Sequence, residues 1–161
     1  MVAVTFQWVL FLHILSAFAF LAAHGVSMFV LYRIRGETDR GKVLAFVSLS
    51  GETTLPMYVS IGAVVATGIW AGITLSSFQH WWIWAAIGLL VATIAAMTVM
   101  ARPYFERVKV ACEVRPSGVP RVSDEELAQI LRSPVAHWIT AIGAIGLLGI
   151  LYLMVFQPGI V

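Results

Sequence analysis

The charged residues of this chain are confined to two short windows. All ten Lys and Arg residues lie there: Arg33, Arg35, Arg40 and Lys42 in the first, Arg102, Arg107, Lys109, Arg115, Arg121 and Arg132 in the second. The acids keep to the same windows, Glu37, Asp39 and Glu52 in one and Glu106, Glu113, Asp124, Glu125 and Glu126 in the other. Around them stand four long uncharged stretches. A helix needs about 20 apolar residues to cross the hydrocarbon of a bilayer. Residues 5–32, 55–75, 81–101 and 135–156 each meet that length. The chain is 60% hydrophobic and 11% charged, whereas a soluble domain has roughly 45–50% and about 25%. A water-soluble core of this size cannot hide so much apolar surface. The reading is an all-α integral membrane protein, a single transmembrane domain built as an up-down four-helix bundle.

Charge also sets the expected orientation. The loops at 33–54 and 102–134 hold every basic residue, and the short link at 76–80 and both termini hold none. The positive-inside rule places the two charged loops in the cytoplasm and both termini outside. Trp8, Trp81, Trp82 and Trp84 then form an outer aromatic belt, with Tyr32, Tyr104 and Trp138 at the inner one. The N-terminal stretch lacks a basic leader and exceeds the usual signal-peptide core, so it reads as a retained helix. The setting is a bacterial-type inner membrane. The net charge of +2 and pI near 9.0 reflect this parking of basic residues and give no reason to expect nucleic acid. The expected partner is the lipid bilayer, with further membrane subunits or a second copy of the chain as candidates. Cys112 is the only cysteine, which excludes an intrachain disulfide and reads as a reduced thiol.

Local signals fill in the charged loops. Ser123-Asp124-Glu125-Glu126 is a capping box, and Leu127, Ile130 and Leu131 follow at helical spacing. A short amphipathic helix over 124–132 is expected, leading through Pro134 into the fourth span. Residues 115–120 form a turn-rich linker. Residues 43–50 are too few to span; they lie in the interface or extend the second helix below Pro56. Ser60, Thr67 and Thr74 make a stripe on the second span. Gly68 and Gly72 there, and Gly143, Gly146 and Gly149 on the fourth, mark faces that a neighbouring helix can approach closely.

The first span carries the most chemistry. At about 100° per residue, His13, Ser16, His24 and Ser27 share one arc about 80° wide. A neutral imidazole in hydrocarbon leaves polar nitrogens unpaired at a cost of several kcal/mol, so this arc should face the bundle interior. Intramembrane ionisable residues are functional candidates. His13 and His24 are about 16 Å apart along the axis at 1.5 Å per residue, too far to share one ion. Topology offers each a partner: His80 at the start of the third span for His13, and His137 at the start of the fourth for His24. Such pairs suit axial ligation of haem b inside a helical bundle, as does His/Met ligation. The other reading makes these histidines structural, bonded to Ser or Thr of a neighbouring helix. His24, Met28 and Met97, with Met100 beside them, also form a soft donor set fitting copper(I), though methionines at helical spacing are commonly core filler. Glu52 reads as a solvated loop acid, with proton relay as the alternative.

The blocks Leu12-His13-Ile14-Leu15-Ser16-Ala17 and Ala23-His24-Gly25-Val26-Ser27 resemble the first helix of a group of small four-helix bacterial membrane proteins of unknown function, placed near the copper-resistance CopD-like superfamily. Met57-Tyr58-Val59-Ser60, Trp82-Ile83-Trp84-Ala85 and Arg102-Pro103-Tyr104-Phe105 fit the same pattern. The wider superfamily includes a porphyrin-handling oxidase that holds haem through a histidine early in its first helix. The resemblance implies that role for His13. The spans of this chain lack basic or substrate residues matching that oxidase, so the resemblance does not extend to porphyrinogen oxidation. Three functions follow as expectations: haem-b electron transfer, a non-enzymatic accessory or assembly subunit of a larger membrane complex, and copper or cation handling.

Overall fold

The computed structural model describes residues 2–159, with side chains from Phe6 to Gly159. Six helices follow in order: α1 Val2–Arg33, α2 Arg40–Glu52, α3 Thr54–Thr74, α4 Trp81–Cys112, α5 Asp124–Leu131 and α6 Val135–Phe156. Short 3-10 turns stand at Ile34–Gly36 and Ser77–Gln79. The four long segments are long and apolar enough to cross a membrane. At 1.5 Å per residue the 32-residue helices α1 and α4 reach about 48 Å. That exceeds the roughly 30 Å of a hydrocarbon core, so both tilt or project beyond it.

Proline and capping chemistry divide the helices. Pro56 has no N–H to offer the Glu52 carbonyl, and its ring crowds that group. The helix therefore breaks at Thr53, and residues 43–50 belong to α2, an extension of the second span. Asp39 starts α2 by accepting from the amides of Gly41 at 2.8 Å and Lys42 at 3.1 Å. Ser123 starts α5 in the same way, accepting from the Glu126 amide at 3.1 Å. Pro134 separates α5 from α6. Pro103 interrupts nothing: α4 runs through it to Cys112, eleven residues beyond the end expected from hydropathy.

The helices associate in two antiparallel pairs, α1 along α3 and α4 along α6. Glycines set the second pairing. A Cβ at Gly143 would meet Met97, one at Gly146 would meet Thr93, and one at Gly149 would meet Leu89. Threes on α6 thus face fours on α4, the interlocking that gives shallow crossing angles. The seam of α1 with the α2–α3 junction is hydroxyl-lined instead. Ser50 donates to Ser27 at 2.9 Å, and Ser27 lies 3.4 Å from the Thr53 hydroxyl.

The two pairs are joined at the charge-rich end. There Val30, Leu31, Ile34, Val43, Val47, Tyr104, Val108, Leu127, Leu131 and Ala136 form one buried cluster drawn from five helices and the turn after α1. The position of this core follows from where water is. Charged residues need water around them, so hydrophobic burial drives packing at that end. Between lipid-facing spans the drive is absent, and small residues decide contact. Arg40 binds the elements together by donating to the carbonyls of Ala111 and Val122, both at 2.8 Å, and to Asp124 at 2.7 Å. Arg35 donates to the carbonyls of Ser133 at 2.8 Å and Arg132 at 3.1 Å, satisfying groups at the end of α5. Between α4 and α5 the chain makes a small bridged turn, Val114 opposite Pro120, with Gly118 at φ 81°.

At the other end, the α3–α4 link packs onto the helices it joins. Phe78 lies where a side chain on Gly72 would stand, and the Trp84 indole donates to the Phe78 carbonyl at 3.0 Å. Trp82, expected in the interfacial belt, is instead 4% exposed and turned inward. It heads the interior face of α4 that continues through Ala86, Thr93 and Met97. Trp8, Trp81 and Trp84 are exposed.

Candidate functional site

The polar arc of α1 is divided among different neighbours. His13 meets α3: its Nδ1 lies 3.1 Å from the Val64 carbonyl oxygen and 3.0 Å from Thr67 Oγ1. These contacts assign the proton. A carbonyl can only accept. The single Thr67 hydroxyl proton is directed to the Ala63 carbonyl at 2.6 Å, so Thr67 also accepts from the ring. Nδ1 therefore carries the hydrogen, and in the neutral imidazole the Nε2 lone pair is free. Gly68 makes room for the ring, because a Cβ there would stand 3.2 Å from His13 Cε1.

Ser16 turns back onto the Leu12 carbonyl at 2.7 Å. Ser27 joins Ser50 and Thr53. His24 faces the other helix pair. Its ring stacks on Phe20, with centroids 5.5 Å apart and planes 12° from parallel. Its Nε2 lies 3.6 Å from where a Cβ on Gly143 would sit, and Met97 Cε lies 3.3 Å from the same point. His24 and Met97, both expected at a metal site, thus converge on one notch in α6. Met28, a turn further along α1, is half-buried.

The two histidine pairs expected from topology do not form. His137 is exposed and lies against Tyr32, ring centroids 6.0 Å apart. Tyr32 is about 12 Å further along α1 than His24 at the helical rise, so His137 sits at a different level. His80 is the N-cap residue of α4, and its side chain makes no capping bond. His13 is level with Thr67, about two turns inside the end of α3. His80 and His137 stand at the ends of their spans, whereas His13 and His24 lie deeper, so the order of the spans does not bring the pairs to one level.

Among the described residues no three of His, Cys, Asp or Glu come together. That geometry belongs to closed divalent-metal sites. It is not what haem or copper(I) requires, since one or two neutral N or S donors can serve. Sequence reasoning anticipated a Ser or Thr acceptor on a neighbouring helix, which Thr67 provides for His13, but it named neither Thr67 nor Val64 and missed the role of Gly143. The first needed the antiparallel register of α1 on α3. The second was within reach by counting levels: His24 is nine residues from Arg33, Met97 is five from Arg102, and Gly143 is eight from the start of α6.

Comparison with known protein families, curated proteins and solved structures finds no match to this chain.

Proposed function

We propose that this chain is a small haem-b protein that carries electrons within a bacterial-type inner membrane, in which His13 would hold the haem iron. The supporting observation is the anchoring of His13. Ligating histidines nearly always donate their second ring nitrogen to a carbonyl or carboxylate, which fixes the tautomer and raises the basicity of the ligating nitrogen. His13 has that arrangement through Val64 and Thr67, and its donor chemistry fits haem iron. Bound haem supplies one-electron redox chemistry. The chain supplies a ring anchored through Nδ1 by two acceptors and a glycine that lets the ring lie close to α3.

In this reading the charge-rich end faces the cytoplasm and both termini face outward, by the positive-inside rule. Expression with ample haem, purification in mild detergent and an absorption spectrum test the proposal. A Soret band lost in His13→Ala but kept in His137→Gln is the expected result. A colourless protein, or a band indifferent to His13, overturns it and leaves the histidines as structural groups of an accessory subunit.

A further inference from the structure

Trp82 carries the one buried side-chain polar atom that finds no partner among the described residues. The residue is 4% exposed, and its indole Nε1 is sealed from solvent without a hydrogen bond. Folded chains pair the large majority of such groups, and an unpaired one is costly to keep. Position ties this donor to His13. On α3, Gly68 and Gly72 stand one turn apart on one face, with the His13 ring against the first and the Phe78 ring against the second. Phe78 leads through the link into α4, whose second residue is Trp82. Thr67, which meets His13, is seven residues from the end of α3, and Trp82 is one residue from the start of α4. At the helical rise Trp82 therefore stands about 9 Å nearer the uncharged end than His13. No substantial packing joins α3 to α4 or α6 among the described residues. His13, Ser16 and Phe20 are only half-buried, so the two helix pairs are not sealed against each other at this level.

We propose that the Trp82 indole donates its hydrogen bond to a propionate carboxylate of the haem held by His13, and so sets which way round the haem lies. The inference rests on the haem reading and names the group that receives the polar edge of the macrocycle. Haem b carries two carboxylates on one edge, and a carboxylate in an apolar bundle needs donors or a cation. No Lys or Arg lies before Arg33, between Lys42 and Arg102 or after Arg132, so no cation of this chain stands in that half. The hydroxyls there are committed to their own helices: Ser16 to the Leu12 carbonyl, Thr67 to Ala63, Thr74 to Trp70 and Thr93 to Leu89. The Trp84 indole is committed to the Phe78 carbonyl. The Trp82 N–H is the buried donor left over. An indole N–H can only donate, so its partner is an oxygen acceptor and not a cation. Propionates directed this way point to the nearer, uncharged membrane face, where water solvates the second carboxylate.

The test compares haem b with its dimethyl ester, which keeps the iron and the ring but has no carboxylate, in titrations of the full-length solubilised protein. Trp82→Phe should weaken haem at least fivefold and leave the dimethyl ester unchanged. Trp84→Phe should weaken neither selectively, and His13→Ala should abolish binding of both. NMR of the wild-type indole gives a measurement independent of variant folding. The Trp82 N–H proton should move further downfield with zinc protoporphyrin, a diamagnetic stand-in, than with the dimethyl ester of that porphyrin. Wild-type discrimination between the two haems in Trp82→Phe, or equal shifts of the indole proton with both zinc porphyrins, overturns the proposal and leaves the haem reading standing. A wild-type protein that binds neither haem overturns the haem reading and this proposal with it.

Discussion

The Thr93 hydroxyl of α4 occupies the space that any side chain on Gly146 of α6 would need. A Cβ at Gly146 would collide with Thr93 Oγ1 and stand 2.9 Å from its Cγ2. Thr93 is stiff about χ1, and its hydroxyl is committed to the Leu89 carbonyl at 2.7 Å, so it cannot simply rotate away. Gly146→Ala is expected to force α4 and α6 apart and to destabilise the protein by about 1–3 kcal/mol, as overpacking generally does. Gly149→Ala should do less, because its nearest obstacle is the flexible end of Leu89 at 2.6 Å. Gly88→Ala meets open space and should leave stability unchanged or slightly raised, since alanine is the better helix former. Thermal unfolding of the three variants in one detergent checks the order.

Arg40 offers a second test, at the charge-rich end. Its side chain is only 15% exposed, while that of its partner Asp124 is 84% exposed. The asymmetry predicts unequal effects. Arg40→Ala removes the donor from two backbone carbonyls, Ala111 and Val122, at a cost of about 1–3 kcal/mol. Arg40→Lys should recover little, because an ammonium does not reproduce the guanidinium fork. Asp124→Asn should cost less than about 1 kcal/mol, the usual worth of an ion pair facing water. Limited proteolysis between residues 113 and 123 reads the loosening: rapid cleavage in both Arg40 variants, near wild-type resistance in Asp124→Asn.

These two regions show how unevenly the fold could be read from sequence. Gly143, Gly146 and Gly149 announced a close helix contact, because nothing else explains three glycines at threes in a span. The limits of the fourth span were also legible, since Pro134 and the loss of hydropathy bracket it. The end of α4 was not. Hydropathy stops at Arg102, but the backbone has no reason to stop there, and charged residues continue the helix in water to Cys112. The inward turn of Trp82 was hidden because an interfacial and a buried tryptophan have the same local sequence. The candidate site divides in the same way. That the polar arc of α1 turns toward other helices follows from the cost of burying imidazole in oil. Which helix each histidine meets depends on register, and register is fixed by contacts such as Ser27 with Ser50, distant in sequence. The broad Ser60–Thr67–Thr74 stripe resolved into one useful member. Thr67 meets His13, whereas Ser60 and Thr74 bond to the Pro56 and Trp70 carbonyls of their own helix.

A pH effect is expected at the turn after α1. Glu37 accepts from the amides of Thr38 at 3.1 Å and Asp39 at 3.3 Å and pairs with Arg33 at 3.2 Å. The Asp39 amide is the largest cause holding its carboxyl below the usual range. The Thr38 amide and the charges of Lys42 and Arg33 act in the same direction. A depressed carboxylate pKa contributes stability that is fully present above the unfolded-state value and is lost as pH falls through the folded one. Amide exchange at Thr38 and Asp39, corrected for intrinsic rates, should therefore stay protected near neutral pH. Protection should fall as pH drops below the ordinary glutamate range. Glu37→Gln should abolish that pH dependence, and its persistence in the variant would assign it to another group.

Thr67→Val tests the anchoring of His13 without touching the ring. The substitution keeps the shape of residue 67 and deletes the hydroxyl that His13 Nδ1 meets at 3.0 Å. Val64 then remains as the acceptor, at 3.1 Å. Outer partners of a ligating histidine are typically worth 10–100-fold in affinity, and here one of two acceptors is removed. Haem affinity should fall by about tenfold, at the lower end of that range, with the Soret band retained at saturating haem. Gly68→Ala should act on the same ring from the other side, since its Cβ would press on Cε1 at 3.2 Å. Ser60→Ala, two turns away on the same face and bonded to the Pro56 carbonyl of its own helix, serves as the control. Haem titrations of the three variants decide the matter: equal affinities would mean that the hydrogen bonds of His13 hold α1 to α3 and do nothing for a ligand.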